Sequence, residues 1–380
     1  MTAAFRTRAA QAAAAVCALA AAAAVQAEGV EIYGIIDTGL NYQHVDADNG
    51  TASSDSLTMK SSQSIPNRWG MRGGEDLGNG WRAGFNLEGQ FASDTGELTG
   101  GRLFHRMAQI SISNDKAGTL VLGRSGALRS GFGTTGIWGG KVNPFSNSWG
   151  DYMAGSKYIM PGGFKSNDNT ITYQSPKMAG FQLHAQYSLK INQSADGVEG
   201  KSTSDRQWGL GATYTAGKLH MAAVLDSVQY GNPTVAGKPD YDDSLAFSLA
   251  AVYDFDAFKL YASGMYFADM KGSEFQGHDV LADLDKDSSY KGYSLQIGAD
   301  VPLWGGTAKA NIGWMDASLD YESKEGLEDP SRFTIAAGYV YPFSKRTSLY
   351  VGAGYVKDES TAKDVEPSAY EVLTGLVVKF

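Results

Sequence analysis

The 380-residue chain carries 32 basic and 41 acidic residues, a net charge of −9, and its mean hydropathy is −0.26 although 43% of its residues are hydrophobic. That acidic balance disfavours nucleic-acid binding, and beyond the first 27 residues no apolar run reaches the roughly 20 residues that a membrane-spanning helix needs. Forty-seven glycines, 20 tyrosines and 16 phenylalanines favour strands and tight turns, so the chain reads as all-β.

Residues 1–27 read as a leader. Arg6 and Arg8 precede an alanine-rich apolar stretch that ends in the small-residue site Val25-Gln26-Ala27, the layout of a signal peptide cut after Ala27. Cleavage takes away two arginines and no acid, leaving 30 basic against 41 acidic residues, a charge of −11, over 28–380. It also removes Cys17, the only cysteine, so the domain that remains has no disulfide and no thiolate chemistry. The residues before Cys17 lack the spacing of a lipidation site, and no lipid anchor is expected.

From there the chain alternates with period two, the mark of strands that send successive side chains to opposite faces. In the first strand Val30, Ile32, Gly34, Ile36 and Leu40 oppose Glu31, Tyr33, Asp37 and Asn41. Midway, Phe181, Leu183, Ala185, Tyr187 and Leu189 alternate with Gln182, His184, Gln186, Ser188 and Lys190. Leu245-Phe247-Leu249, Phe258-Leu260-Ala262, Tyr293-Leu295-Ile297 and Phe333-Ile335-Ala337 repeat the pattern. The last strand sets Tyr370, Val372, Thr374, Leu376, Val378 and Phe380 against Glu371, Leu373, Gly375, Val377 and Lys379. One face is greasy, and the charge is on the other.

The connections sort by length. Short turns rich in Gly, Asp, Asn and Pro fall at 76–80, 114–118, 176–180, 215–218, 254–257, 304–307 and 342–346. Long polar stretches fall between them, at 43–62, 93–101, 126–165, 192–204, 230–242, 271–288, 320–331 and 358–367. A soluble β-sandwich has no reason to sort its loops this way. A transmembrane antiparallel β-barrel of about 16 strands does, with short turns inside the cell envelope and long loops outside. Closure leaves no unpaired backbone edge in lipid. Tyr42, Trp81, Phe91, Tyr187, Trp208, Trp314, Tyr341 and Phe380 read as interfacial girdles, because a barrel this wide encloses water, not a packed interior.

The sequence resembles the general porins of Gram-negative bacteria, the trimeric porins of the Neisseria, Comamonas and Bordetella type. The resemblance rests on Ile32-Tyr33-Gly34-Ile35-Ile36-Asp37, Arg68-Trp69-Gly70-Met71-Arg72-Gly73-Gly74-Glu75-Asp76-Leu77-Gly78, Trp81-Arg82-Ala83-Gly84-Phe85-Asn86-Leu87-Glu88, Gly118-Thr119-Leu120-Val121-Leu122-Gly123-Arg124, Ile171-Thr172-Tyr173-Gln174-Ser175-Pro176 and the terminal Phe380, which together cover most of the chain after the leader. It implies a single barrel domain over 28–380, a homotrimer in the outer membrane beside lipid and lipopolysaccharide, and passive diffusion of ions and small solutes. It also implies that the third long loop folds inward and that Phe380 is an assembly signal for the barrel-insertion machinery. By motif position the constriction would hold Arg68 and Arg106, with Arg124 and Lys165 as further members. That third loop, 126–165, is basic and aromatic, with Arg129, Lys141, Lys157 and Lys165 against a single acid, Asp151. Basic rings favour anions, so a weak anion preference is expected.

The acids crowd other loops: Asp279, Asp283, Asp285 and Asp287; Asp320, Glu322, Glu325, Glu328 and Asp329; Asp358, Glu359, Asp364 and Glu366. They read as solvated faces, with divalent cations bridging to lipopolysaccharide as the alternative. His44, His105, His184, His220 and His278 show no metal or catalytic spacing, and no nucleophile, phosphate or dinucleotide motif occurs, so neither enzyme nor cofactor is expected. A substrate-specific channel, an adhesin or a barrel enzyme remain the alternatives to a diffusion porin.

Overall fold

The computed structural model describes residues 27–48, 50–163, 165–233, 240–275, 284–323, 325–359 and 365–380. The expected leader lies outside these except for Ala27, as do Asp279, Asp283 and Asp364 of the acidic loops and His278. Seventeen strands form one sheet: β1 (Ala27–Asp46), β2 (Ser54–Ser61), β3 (Arg68–Gly78), β4 (Trp81–Gly89), β5 (Met107–Asn114), β6 (Gly118–Gly126), β7 (Ser166–Gln174), β8 (Phe181–Ser188), β9 (Arg206–Ala216), β10 (Leu219–Gln229), β11 (Leu245–Asp254), β12 (Lys259–Lys271), β13 (Ser289–Leu303), β14 (Gly306–Tyr321), β15 (Ser331–Pro342), β16 (Thr347–Glu359) and β17 (Ser368–Lys379). Each pairs antiparallel with the next from β3 onward, and β17 returns to β1 over Ile35–Asp46, so the sheet closes on itself.

The other edge of β1 is shared. Thr38–Val45 pair with β2 and Ala27–Ile35 with β3. The two are halves of one stave broken at 62–67, which gives the closed barrel sixteen staves. The break is built on Asp37, fully buried on the inner face of β1. Its carboxylate accepts from Ser64 N at 2.7 Å, Ser64 Oγ at 2.8 Å, Ile65 N at 2.8 Å and the Tyr350 hydroxyl at 2.5 Å. Four charge-assisted bonds hold an unpaired stretch of wall in place and aim its end, Arg68, into the lumen.

Alternation sets inside from outside as expected. In β17, Tyr370, Val372, Leu376 and Val378 are exposed to the surroundings, whereas Glu371, Leu373 and Val377 are buried inside. The seven short turns join strand pairs at one end of the barrel; at the other lie seven of the expected long loops and the 47–53 connection between β1 and β2. Asn79-Gly80, with φ of 54° and 78°, makes a two-residue turn whose double positive φ matches the twist of its strands. Aromatic pairs ring the turn end, among them Phe181–Tyr214 with centroids 4.3 Å apart and Tyr341–Phe343 at 5.4 Å; Tyr42–Tyr370 and Tyr293–Trp314 belong to the loop end. Phe91 lies two residues past the end of β4, in a bridge to Leu98.

Two expectations need correction. The stretch 43–62 is mostly strand, not loop: β1 runs on to Asp46 and β2 fills 54–61, because Leu57 and Met59 face outward and extend the apolar wall. The interior is also not wholly left to water. Trp138, Phe145, Trp149, Tyr152 and Tyr158 of the third long loop are buried in two apolar clusters with inward-facing wall residues.

Candidate functional site

The segment 127–165, between β6 and β7, is the element that shapes the lumen. Against β9 to β16 the inner wall offers glycines where other positions carry side chains. Leu128 and Ile137 sit over Gly209 and Gly211, Pro144 over Gly298, Ile159 over Gly313, Phe145 over Gly338 and Met153 over Gly352 and Gly354. A Cβ at Gly354 would come within 2.9 Å of the Met153 backbone, so that glycine is required by space. Burying residues such as Phe145, Met153 and Ile159 contributes roughly 1.5–3 kcal/mol each. A short helix, α1 (Ser156–Ile159), lies within this packed stretch.

Polar anchors fix the loop. Arg129 makes a two-pronged ion pair with Asp226 of β10, at 2.6 and 3.1 Å, with both side chains almost fully buried, and donates to Pro161 O at 2.8 Å. Glu371 of β17 accepts from the backbone N–H groups of Asp151, Tyr152 and Met153 at 3.1, 2.7 and 3.0 Å and from Asn41 at 2.9 Å. Arg332 of β15 donates to Tyr158 O at 3.1 Å. Its ion pair with Asp358 at 2.9 Å draws that acid, expected among the solvated loop acids, into the barrel. Charge buried in an apolar setting has to be paired, and Arg332 is its partner.

The loop thus packs mainly on β9 to β17, and it meets the wall of β3 to β7 chiefly through residues 132–134, at Met107, Gln109 and Gln174. There a cavity of about 320 Å³ lies between residues 64–68, at the end of the stave break, and the loop. Its charged lining residues are Arg68, Arg106 and Lys141, beside Phe132, Trp138 and the hydroxyls of Ser146 and Ser148. A second, of about 410 Å³, is lined by Arg72, Asn86, Gln109 and Gln174 on the same side, toward the turn end.

Of the five sequence-predicted constriction residues, Arg68 and Arg106 meet in that first cavity. Arg68 donates to Pro66 O at 3.1 Å and has no carboxylate within ion-pair distance among the described residues. Arg106 lies one residue before β5, so alternation does not govern it. Its Nε donates to Glu88 at 2.5 Å, and its guanidinium lies 4.5 Å from the Phe132 ring. Arg124 is turned inward by a bulge between Gly123 and Ser125, which resolves its shared parity with Leu122. It shares Asp168 with Arg102, at 2.5 and 2.8 Å. Lys165 pairs with Glu274 at 2.8 Å. Asp151 bonds Lys60 of β2 and accepts from Gln43 at 2.6 Å. Burial works to raise its pKa, yet Lys60, Gln43 and Lys157 hold it below the usual carboxylate range.

The arginine side of the lumen is therefore positive: Arg68, Arg102, Arg106 and Arg124 face two carboxylates, Glu88 and Asp168. His105 registers that field. Burial first, then Arg124, Arg102 and Arg106, hold its pKa below the usual histidine range. Sequence reasoning missed Lys60, Glu88, Arg102, Asp168 and Asp226. Parity carried a signal for Lys60, Glu88 and Asp226, which alternate with Met59, Leu87 and Leu225, but pairing across strands is not encoded locally. Among the described residues no group of three or more His, Asp or Glu side chains could hold a metal ion.

A profile of Gram-negative porins matches residues 10–361. An outer membrane porin protein of Bordetella pertussis is 31% identical over 91% of this chain and 94% of its own. The major outer membrane protein P.IB of Neisseria meningitidis serogroup A is 28% identical over 87% and 88%. The structure of an anion-selective porin from Comamonas acidovorans superposes with a TM-score of 0.65 at 24% identity, covering 93% of this chain and all of that one, and so shares the fold. With a closed sixteen-stave wall, a lipid-facing apolar surface and a polar lumen, the chain belongs to the Gram-negative porin family and is an outer-membrane channel for passive diffusion of ions and small hydrophilic solutes.

Proposed function

We propose that solutes cross along the β3–β7 side of the lumen and that the channel weakly prefers anions. The observation that carries this is the cavity beside the loop, whose charged lining residues are Arg68, Arg106 and Lys141. In a narrow passage of low dielectric, three cations lower the barrier for anions more than the acidic outer loops, screened beyond roughly 8–10 Å, can oppose. Arg68 and Arg106 are the constriction residues in this reading. Arg106 is partly offset by Glu88 but lines the cavity, whereas Arg124, Lys165 and Asp151 are each tied to an opposite charge and lie outside its lining, and so act less directly. The third loop's one acid, Asp151, is offset by Lys60, which favours the same sign.

The assembly reading follows from the same wall. Residues 1–27 are removed on export, and three barrels associate in the membrane among lipid and lipopolysaccharide. Phe380 serves the insertion machinery. The reading is supported by its position: its backbone exchanges two hydrogen bonds of 3.0 Å with Gly34, at the seam where β17 meets β1. No catalytic role is assigned to any residue. Planar-bilayer recording of the refolded 28–380 chain in a salt gradient tests the whole: ohmic steps in threes with an anion-side reversal potential are expected. Cation selectivity would remove the charge argument, and a silent membrane would remove the channel.

A further inference from the structure

We propose that the turn-end cavity of about 410 Å³ is a binding station for an uncharged polyhydroxylated solute of the monosaccharide class. Strand register puts its lining in level rows on one stretch of inner wall. Glu31, Arg72, Asn86 and Gln109 follow one another across β1, β3, β4 and β5. One pleat nearer the turns, Gly74 lies opposite Gly84, and Gly84 opposite Ser111. One pleat further, Thr119 of β6 faces Gln174 of β7. The glycine pair has no side chains, so the wall is notched there, with amides on the loop side and hydroxyls beside it. The third loop closes one flank: Thr134 Oγ1 accepts from Gln109 Nε2 at 2.8 Å, and Thr134 O from Gln174 Nε2 at 2.9 Å. The volume falls within the range of small-molecule sites, roughly 300–1,000 Å³.

The chemistry of the lining selects the class of solute. Its two charged groups neutralise each other, since Arg72 makes a two-pronged ion pair with Glu31 at 2.8 and 3.0 Å. No net charge is left over for an ion, in contrast with the cavity of Arg68, Arg106 and Lys141. What is left over is neutral hydrogen-bonding capacity. Gln109 is 6% exposed and its Oε1 has no donor among the described residues, a costly state for a buried acceptor. The Ser111 and Thr119 hydroxyls also lack a partner among the described residues. Asn86 Oδ1 accepts from the Tyr33 hydroxyl at 3.0 Å, and its amide nitrogen remains free to donate. A hydroxyl both donates and accepts, so a solute carrying several can answer all of these at once, whereas a carboxylate only accepts and an ammonium only donates.

The station rests on the β3–β7 passage reading for its purpose, and its test reads binding apart from conduction. Methyl signals of Thr119, Val121 and Thr134, all in the lining, are followed in the refolded channel in lipid nanodiscs as D-glucose is added, with inorganic phosphate as the charged control. Saturable shifts with glucose and none with phosphate are expected. The midpoint rises severalfold in Gln109→Leu and by less in Ser111→Ala, which removes one unbonded hydroxyl and spares the fold. Shifts that grow without saturating, that appear equally with phosphate, or that keep the parent's midpoint in both variants overturn the station. Single-channel recording separates the two failures: parental step size in variants that no longer take up glucose confines the loss to this site, and a silent membrane belongs to the channel reading.

Discussion

The two sides of the lumen use one alternation rule to opposite ends. Along β9 to β16, inward positions are stripped to glycine at Gly209, Gly211, Gly298, Gly313, Gly338, Gly352 and Gly354, and a loop of about forty residues fills the space with Phe145, Met153 and Ile159. Along β3 to β7, inward positions keep Arg68, Arg72 and Asn86 beside two cavities, and the loop meets this wall chiefly through residues 132–134. The side of small residues is the one packed against the loop, and the side of large polar residues is the one that keeps the cavities. Pore shape is thus set as much by which strands can accept a loop as by the loop itself.

Cutting the deepest anchor of the packed side gives the largest expected effect. Arg129→Ala leaves Asp226 buried and unpaired, which costs about 3–5 kcal/mol. The drop is read from urea unfolding of the refolded protein in lipid, and an unchanged midpoint would show that the loop does not depend on that pair. Gly354→Val drives a side chain into the Met153 backbone and costs about 1–3 kcal/mol. Its sharper sign is a shifted unitary conductance, because the displaced loop has only the open side to move into.

On the open side the same kind of change touches function and spares stability. Arg68→Gln moves the reversal potential toward cations while unfolding stays within about 0.5 kcal/mol of the parent. If Arg68→Gln unfolds the barrel instead, the division between a structural and a conducting side fails. The smallest effect concerns the tether that joins the two. The Asp151 pKa is depressed in the fold, so its bond to Lys60 contributes fully above the ordinary carboxylate pKa and is lost as pH falls through the folded value. Open-channel noise is expected to be flat from neutral pH down to about 4 and to rise below it. Lys60→Gln should show that noise at neutral pH.

Much of this was legible in the chain. Period-two runs such as 370–380 and the short-turn, long-loop order specify a closed barrel, because lipid forces every backbone group into a partner strand and every outward side chain to be apolar. The aromatic third loop is conspicuous in sequence, and so is Arg68 in its motif. What local pattern cannot carry is partnership across the ring. That Arg129 meets Asp226, 97 residues on, and that Glu371 caps the backbone of Asp151 to Met153, 218 to 220 residues away, follow from closure and stagger.

By itself the sequence determined the wall: which residues face lipid, how many staves there are, and where the turns and, apart from 43–62, the long loops lie. Those follow from a two-residue period and from hydrophobicity, both local quantities. Only the tertiary structure decided which side of the lumen is filled, that Arg106 and Arg124 point inward, and that Asp151 is offset by Lys60. These depend on a break in one stave, a bulge at Gly123 and a strip of glycines brought level with one another by strand register, and register is a property of the closed sheet, not of any segment within it.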